Sequence, residues 1–261
     1  MEFLLGVGIF LTIFFWIRWY HPFISRRSFL LRSRSRVALA LVPVLCVFGL
    51  FLVLLGWSAD SVKLNFQWTV TYLLLGAGWL GVTQIIFGFL GVSARDDLLE
   101  RRNSAAAWTV SGQLIAATSC FAGANIGDGP GPEVVIFCAL LSTGALFLLW
   151  FLVDRAASIS DTVTIDRHLG TGIRACGWLT ASGIIPGDAV TGDWKSASAT
   201  LRDFATCAWP AAIFAVVVTF LERKMRSRAG DNAWNRAGAS VVLACVYVLC
   251  AACYAWKRGI H

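Results

Sequence analysis

The chain has 261 residues, of which 57% are hydrophobic and 14% are charged, and its mean hydropathy is +0.70. Because soluble domains carry about 25% charged residues, this composition excludes an ordinary soluble domain and predicts an all-α polytopic membrane protein. The formal net charge of +7 is interpreted as a topology signal with some attraction to anionic lipid, and nucleic acid is not an expected partner, since the basic residues lie in short loops.

Eight apolar segments each approach the ~20 residues that cross a bilayer, and they predict about eight transmembrane helices. The first is interpreted as a retained anchor rather than a signal peptide, because Trp16, Arg18 and Trp19 follow its apolar run where a cleavage site would need small residues. The sixth segment is glycine-rich and the seventh is short. The predicted spans lie near 2–19, 37–57, 67–92, 104–126, 134–153, 169–187, 206–221 and 237–256.

The basic residues predict how the chain is oriented. Of the 22 Lys and Arg residues, 16 fall in every second link between the predicted spans. Because basic loops stay in the cytoplasm, these links are expected inside and both termini outside the bacterial inner membrane. The links are 18–36, 93–103, 154–168 and 222–236.

An internal repeat runs through the middle of the sequence. A shift of 65 positions places Asp96 on Asp161 and Gly112 on Gly177 without a gap. Each copy contains two predicted spans, so the copies are expected to run in the same direction, as a tandem parallel helical-hairpin repeat. The further matched pairs are Arg102 with Arg167, Leu114 with Leu179, Ala124 with Ala189, Gly127 with Gly192, and Asp128 with Asp193.

The repeat divides the chain into four predicted units. An N-terminal flanking hairpin covers 1–66, copy one covers 67–126, copy two covers 127–195, and a C-terminal flanking hairpin covers 196–261. The many small residues of the fourth and sixth spans favour close helix packing, with a groove or pore as the alternative.

Several polar residues are candidates for a pathway or pocket on the axis of the repeat. Arg174 lies inside the sixth span, where it either pairs with an acid or lines a vestibule, or else snorkels to the headgroups. Gln113 is expected to bond across helices, and either Asn103 or Ser104 to cap a helix. His168 is interpreted either as a pH sensor or as a loop histidine without a role. At the outer side, an acidic ring that attracts cations is one interpretation and turn chemistry the other, for Asp128, Asp193, Asp188 and Glu133.

Charged residues of both signs cluster in the inner links. They are interpreted as a solvated ion-pair network, with an inner gate or a docking surface as the alternative. The eight cysteines lie in or beside apolar spans and are interpreted as reduced packing residues, so neither a metal nor another cofactor is expected. The inner cluster consists of Asp96, Asp97, Glu100, Arg102, Asp161 and Arg167.

The motifs Leu-Leu-Glu-Arg-Arg-Asn-Ser-Ala-Ala-Ala at 98–107, Ser111-Gly112, and Ala189-Val190-Thr191-Gly192-Asp193-Trp194 resemble the bacterial tandem family called domain of unknown function 350. The resemblance covers about 67–195. It implies a small inner-membrane protein with two copies of a helical hairpin, and an envelope-stress setting. The chain departs from the family at 168–170, where His-Leu-Gly replaces a second Asn-x-Ala-Ala pattern.

Two functions are compatible with these features. The first is a channel- or transporter-like bundle for a small ion or solute. The second is a non-catalytic structural or partner-binding subunit in an envelope-stress or multi-subunit assembly. No nucleophile–base pairing or phosphate-binding loop is recognisable, so an enzyme is not expected. The expected partners are the lipid bilayer and either further copies of the chain or a membrane-associated protein.

Overall fold

The computed structural model of the chain describes residues 2–25, 34–226 and 237–259. Within these ranges the structure is helical, and it contains no β-strand. Ten α-helices and one π-helical turn, Ala94–Glu100, are described. The α-helices are α1 (Glu2–Ser25), α2 (Arg34–Gly56), α3 (Asp60–Lys63), α4 (Phe66–Phe89), α5 (Ser104–Gly123), α6 (Pro132–Ala157), α7 (Ile159–Thr164), α8 (Leu169–Ala189), α9 (Ala197–Arg226) and α10 (Ala237–Arg258).

Five helices are long and apolar enough to cross a membrane, namely α1, α4, α6, α9 and α10. In α2 the apolar part, Ala40–Gly56, is shorter. The chain therefore has the helices of a multi-pass membrane protein. All eight predicted spans coincide with long helices, whereas the number of crossings stays a prediction.

The two remaining long helices, α5 and α8, are less apolar because small and polar residues replace Leu and Phe. They form the centre of the bundle, and α8 is buried along almost its whole length. Helices that contact only other helices need small residues for packing more than they need large side chains for lipid. Burial between neighbouring helices thus explains their lower hydropathy.

The contact between α5 and α8, called the α5–α8 seam below, is closed by glycines. A methyl group added to Gly123 would overlap the backbone of Gly187, and one added to Gly183 would overlap the backbone of Ala116. Gly112 meets Cys176 across the same seam. The small residues therefore serve close backbone packing at these positions of the seam.

The predicted glycine pair has different neighbours in the two copies. Gly112 packs against α8, while Gly177 packs against Ala244 of α10. Both glycines lie at close helix crossings, as the repeat predicted. The close crossing at Gly177 is therefore made with α10 and not with α5.

Local geometry recurs at the repeat spacing. Arg102 and Arg167 both adopt a left-handed backbone, with φ of 55° and 54°, one residue before a helix cap. Gly127 and Gly192 both have positive φ, 111° and 114°, which glycine adopts without a steric penalty. The links before α5 and α8 also contain elements that the sequence analysis did not predict, namely the π-helical turn and α7.

The links gather at two ends of the bundle. At the basic end, defined by links 90–103 and 158–168, the Asn103 amide donates to the carbonyl of Val163. At the acidic end, defined by links 57–65, 124–131 and 190–196, Gly192 N–H donates to the carbonyl of Ile126 over 3.0 Å. Links of the same predicted side therefore contact each other.

Candidate functional site

A buried ion pair joins α8 to α9 near the basic end. The Arg174 Nε donates to Glu222 Oε1 over 2.6 Å, and Nη2 donates to Oε2 over 2.7 Å. The side chains are only 2% and 6% exposed. This paired arrangement is the strong form of a guanidinium–carboxylate contact, since it joins two parallel hydrogen bonds to opposite charges.

The remaining Arg174 donors reach two further side chains. Nη1 donates to Ser240 Oγ of α10 over 2.9 Å, and Nη2 also donates to Thr171 Oγ1 over 3.1 Å. Arg174 therefore connects α8, α9 and α10 and does not extend toward the headgroups. Of the interpretations that the sequence left open, pairing with an acid is the one that the geometry matches.

His168 is the residue that caps α8 beside this ion pair. Its Nδ1 accepts the Thr171 N–H over 3.1 Å and lies 2.9 Å from the Thr171 hydroxyl. Burial, and then the positive charge of Arg174, lower the pKa of His168 below its ordinary value of 6.5; the carboxylates of Glu222 and Asp166 oppose this shift and are outweighed. The imidazole is thus held neutral, as its role as acceptor requires.

Asn103 and Gln113 are also buried, but they differ in their contacts. The Asn103 side-chain oxygen accepts the N–H groups of Ala105 and Ala106 over 2.9 and 3.3 Å, so it caps α5. Gln113 is completely buried in α5, and neither atom of its amide has a hydrogen-bond partner among the described residues. The expected bond from Gln113 across helices is therefore not formed within the described structure.

The acidic residues at the other end fall into two groups. Asp128 and Asp193 are exposed and joined directly, because the Asp128 N–H donates to Asp193 Oδ1 over 2.8 Å. Asp188 is instead buried and accepts from Arg258 Nη1 over 2.6 Å. The predicted ring therefore includes a carboxylate that α10 neutralises, which leaves Asp128, Asp193 and the exposed Glu133 as its accessible members.

These two aspartates line a cavity of about 340 Å³ at the acidic end. Its wall is formed by the link before α4, the first turns of α4, α6 and α9, and the two paired turns at 124–131 and 190–196. Besides the aspartates, the side chains that matter for its chemistry are Trp68, Tyr72, Trp194 and Asp203. The cavity thus combines aromatic faces with carboxylates.

The inner charged cluster is divided between separate contacts. Asp97 is buried, accepts the Ser93 N–H over 2.9 Å, and pairs with Arg101 over 3.2 Å. Asp96, Asp161, Arg102 and Arg167 are exposed at the two links, and the side chain of Glu100 lies outside the described residues. No group of three or more His, Cys, Asp or Glu side chains that could hold a metal occurs in the described ranges.

Several residues of both sites were missed by the sequence analysis. Glu222 and Ser240 lie 48 and 66 positions from Arg174, and α4 supplies Trp68 and Tyr72 to the cavity. The available signal for Glu222 was an acid directly after the seventh predicted span, on the same predicted side as Arg174. No comparable signal identified Asp203.

Comparison with known protein families finds a match for the central part of the chain. Residues 61–190 match the family described as Domain of Unknown Function (DUF350). The resemblance inferred from the sequence is confirmed over this range, which contains α4 to α8 and most of the residues that line the cavity. No curated protein and no solved structure matched the chain.

Proposed function

Starting from a family whose description assigns no activity, we propose that this chain is a transporter-like bundle of the bacterial inner membrane. It moves a small ion or solute by a change of conformation rather than through an open pore. The observation that carries this proposal is the buried Arg174–Glu222 pair between α8 and α9.

Burying charged residues in a membrane helix costs free energy. Insertion scales assign a charge at a helix centre a cost of about 2.5–3.5 kcal/mol, so ionisable residues inside membrane bundles usually serve a path or a coupling site. Apolar residues of similar size often stabilise a core equally well. Function therefore explains the retained pair better than stability does.

The position of the pair suggests how the bundle would move. Arg174 holds Glu222 of α9 and Ser240 of α10 at one end of α8. Binding of a solute in place of either partner of Arg174 would release α9 or α10 from α8, while the glycine contacts keep α5 packed against α8. Motion of the C-terminal hairpin against a fixed α5–α8 centre is the proposed transport step.

The topology proposal has eight crossings, which adds α2, α5 and α8 to the five apolar helices, and both termini outside. Two observations support it. The Asp188–Arg258 and Arg174–Glu222 contacts join helix ends that an alternating arrangement would place on the same side. The starts of α5 and α8, at Ser104 and Leu169, are 65 positions apart, which supports two parallel copies of one hairpin.

The second candidate function is a non-catalytic structural or partner-binding subunit. The close packing of the α5–α8 seam is compatible with it, because a packed centre suits a scaffold as well as a transporter. Large apolar side chains on the outer helices, such as Phe10, Leu45, Phe220 and Leu249, are exposed, and they would contact lipid, further copies of the chain or a membrane partner. We expect no enzymatic activity from either candidate.

Charge movement in proteoliposomes separates the two candidates. The purified chain would be reconstituted, adsorbed on a solid-supported membrane, and exposed to concentration jumps of NaCl, KCl and choline chloride. The transporter proposal expects a transient current with at least one of these salts. It expects that current to be lost in the double variant Arg174→Leu/Glu222→Leu and kept in Arg155→Leu, whose guanidinium lies on the exposed surface over Phe151.

The control outcomes are equally specific. An absence of current with all three salts, from protein that is folded and inserted, favours the structural subunit. A current that persists in the double variant would show that the ion pair is not part of the transport step.

A further inference from the structure

We propose that the acidic-end cavity is a binding site for a small organic cation that carries an ammonium group. This inference rests on the proposed function, because it names the class of solute that the transporter would move. Binding at the site can nevertheless be measured on the purified chain without any transport.

The charge of the wall selects a cation. Asp128, Asp193 and Asp203 contribute three carboxylates to the cavity lining. No Lys, Arg or His occurs among the described residues that line it. One oxygen of Asp193 accepts the Asp128 N–H. The other carboxylate oxygens of the three aspartates therefore remain available as acceptors for a bound cation. Carboxylates concentrated in a cleft focus a negative potential and raise the local concentration of cations.

The aromatic side chains select an organic cation. Trp68 and Tyr72 lie one helical turn apart on α4, with ring centroids 5.9 Å apart and ring planes inclined by 29°. Trp194 stands on the opposite link, held edge-on against Phe137 at 5.6 Å. Ammonium groups bind over Trp and Tyr faces, a contact that gains strength when water is excluded.

Tyr72 supplies an observation that is independent of the acidic residues. Its side chain lines the cavity, and the residue is only 4% exposed. No hydrogen bond of its hydroxyl is described, so this oxygen has both donor and acceptor capacity for a molecule in the cavity. A bound molecule with a polar group would provide a hydrogen-bond partner.

Size and coordination argue against a bare metal ion. The cavity of about 340 Å³ lies within the range of small-molecule sites, roughly 300–1,000 Å³. No group of three potential metal ligands is assembled in the described ranges. A molecule such as a choline-sized ammonium compound would fill the space, contact an aromatic face and approach a carboxylate at once.

Isothermal titration of the purified full chain in detergent tests the proposal. The probes are choline and 3,3-dimethyl-1-butanol, its neutral carbon analogue of nearly the same shape. Choline is expected to bind at least about tenfold more tightly than the neutral analogue, which corresponds to the 1.4 kcal/mol of a cation–π contact with a carboxylate nearby.

Matched variants assign the binding to this cavity. Asp193→Asn keeps an oxygen for the Asp128 N–H, and Asp203→Asn changes an exposed side chain of α9, so neither disturbs the fold. Each is expected to weaken choline binding about three- to tenfold, whereas Asp166→Asn at the basic end leaves it unchanged. Tyr72→Phe is expected to weaken binding of choline, which carries a hydroxyl, more than that of tetramethylammonium, which does not.

Three results would overturn the proposal. The first is equal affinity of the chain for choline and for the neutral analogue, and the second is choline affinity that neither aspartate variant changes. The third is loss of choline binding in millimolar Ca²⁺, because a metal would then occupy the site. Choline binding without any current in the transport assay would leave the cavity as a ligand site and remove the transporter proposal, so the two failures are distinct.

Discussion

His168 occupies in copy two the position that Asn103 occupies in copy one, and both residues cap the helix that follows. The Asn103 oxygen accepts the N–H of Ala105, two residues on, over 2.9 Å, and His168 Nδ1 accepts the N–H of Thr171, three residues on, over 3.1 Å. The departure from the family pattern at His168 therefore keeps the capping role. It replaces an amide that cannot titrate by an imidazole that can.

A pH-dependent loss of stability follows from this substitution. Because burial and Arg174 lower the pKa of His168, the folded state favours the neutral ring, and the unfolded state binds a proton first as the pH falls below about 6.5. The contribution of His168 to the free energy of unfolding is fully present above a pH of about 6.5. It is lost as the pH falls through the lower pKa of His168 in the folded state.

The measurement is the melting temperature in detergent at pH 7.5 and pH 5. The wild-type chain is expected to lose more of its melting temperature than His168→Asn over this interval, because the histidine binds its proton more readily in the unfolded state. Asparagine restores the cap of copy one and cannot protonate. His21→Asn, a change at an exposed histidine of α1, should behave like wild type, and an equal loss in all three proteins would contradict the assignment.

The sequence specified the helices well because membrane helices are set by local properties. Apolar length and the capping pattern located α5 from Asn103 onward, and small residues indicated where helices cross closely. Contacts between distant segments were not accessible in this way. Asp188 was expected in an outer ring, yet it pairs with Arg258, 70 positions away, because only the packing of α8 on α10 decides which charge it meets.

The same limit applies to the two candidate sites. A charged Arg174 inside a span predicts that some partner exists, but several acids were available on the same predicted side. The cavity depends on how α4 packs against the turns at 124–131 and 190–196, and residue spacing within α4 carries no information about those turns. The repeat matched Asp128 with Asp193 in the sequence, but it did not predict the hydrogen bond between them.

The Arg174–Glu222 pair yields a prediction about stability. Arg174→Leu or Glu222→Leu alone leaves the partner charge buried and is expected to cost about 3–5 kcal/mol, whereas the double variant removes both charges and should recover most of this loss. Unfolding in mixed micelles with increasing SDS measures the difference, with Arg155→Leu as the surface control. A double variant as unstable as the single ones would mean that the pair is required for the fold, and it would remove the observation on which the transporter proposal rests.

The α5–α8 seam yields a prediction about packing. Gly183→Ala places a methyl group on the backbone of Ala116, while Gly144→Ala on α6 meets nothing within 4 Å. The first change is expected to lower the unfolding free energy by about 1–3 kcal/mol, the usual cost of overpacking. The second should be neutral or stabilise by up to about 1 kcal/mol, because alanine is the better helix former. Equal effects of the two changes in the same SDS titration would show that the seam is looser than described.

Labelling of introduced cysteines decides the number of crossings. In a variant without the eight native cysteines, single cysteines would replace Ser28, which lies outside the described residues, Asp166 and Ser196. A membrane-impermeant maleimide applied to intact cells reaches only outer positions, and the remaining ones react after the membrane is opened.

Each topology gives its own pattern. With eight crossings, Ser28 follows one helix, Asp166 follows five and Ser196 follows six, so the first two positions lie inside and Ser196 lies outside. If α5 and α8 do not cross but α2 does, Asp166 joins Ser196 on the side opposite to Ser28. If only the five most apolar helices cross, all three positions lie on one side, because odd numbers of helices precede each of them. Labelling of Ser196 alone in intact cells is the expected result, and it also assigns the acidic-end cavity to the outer face of the membrane.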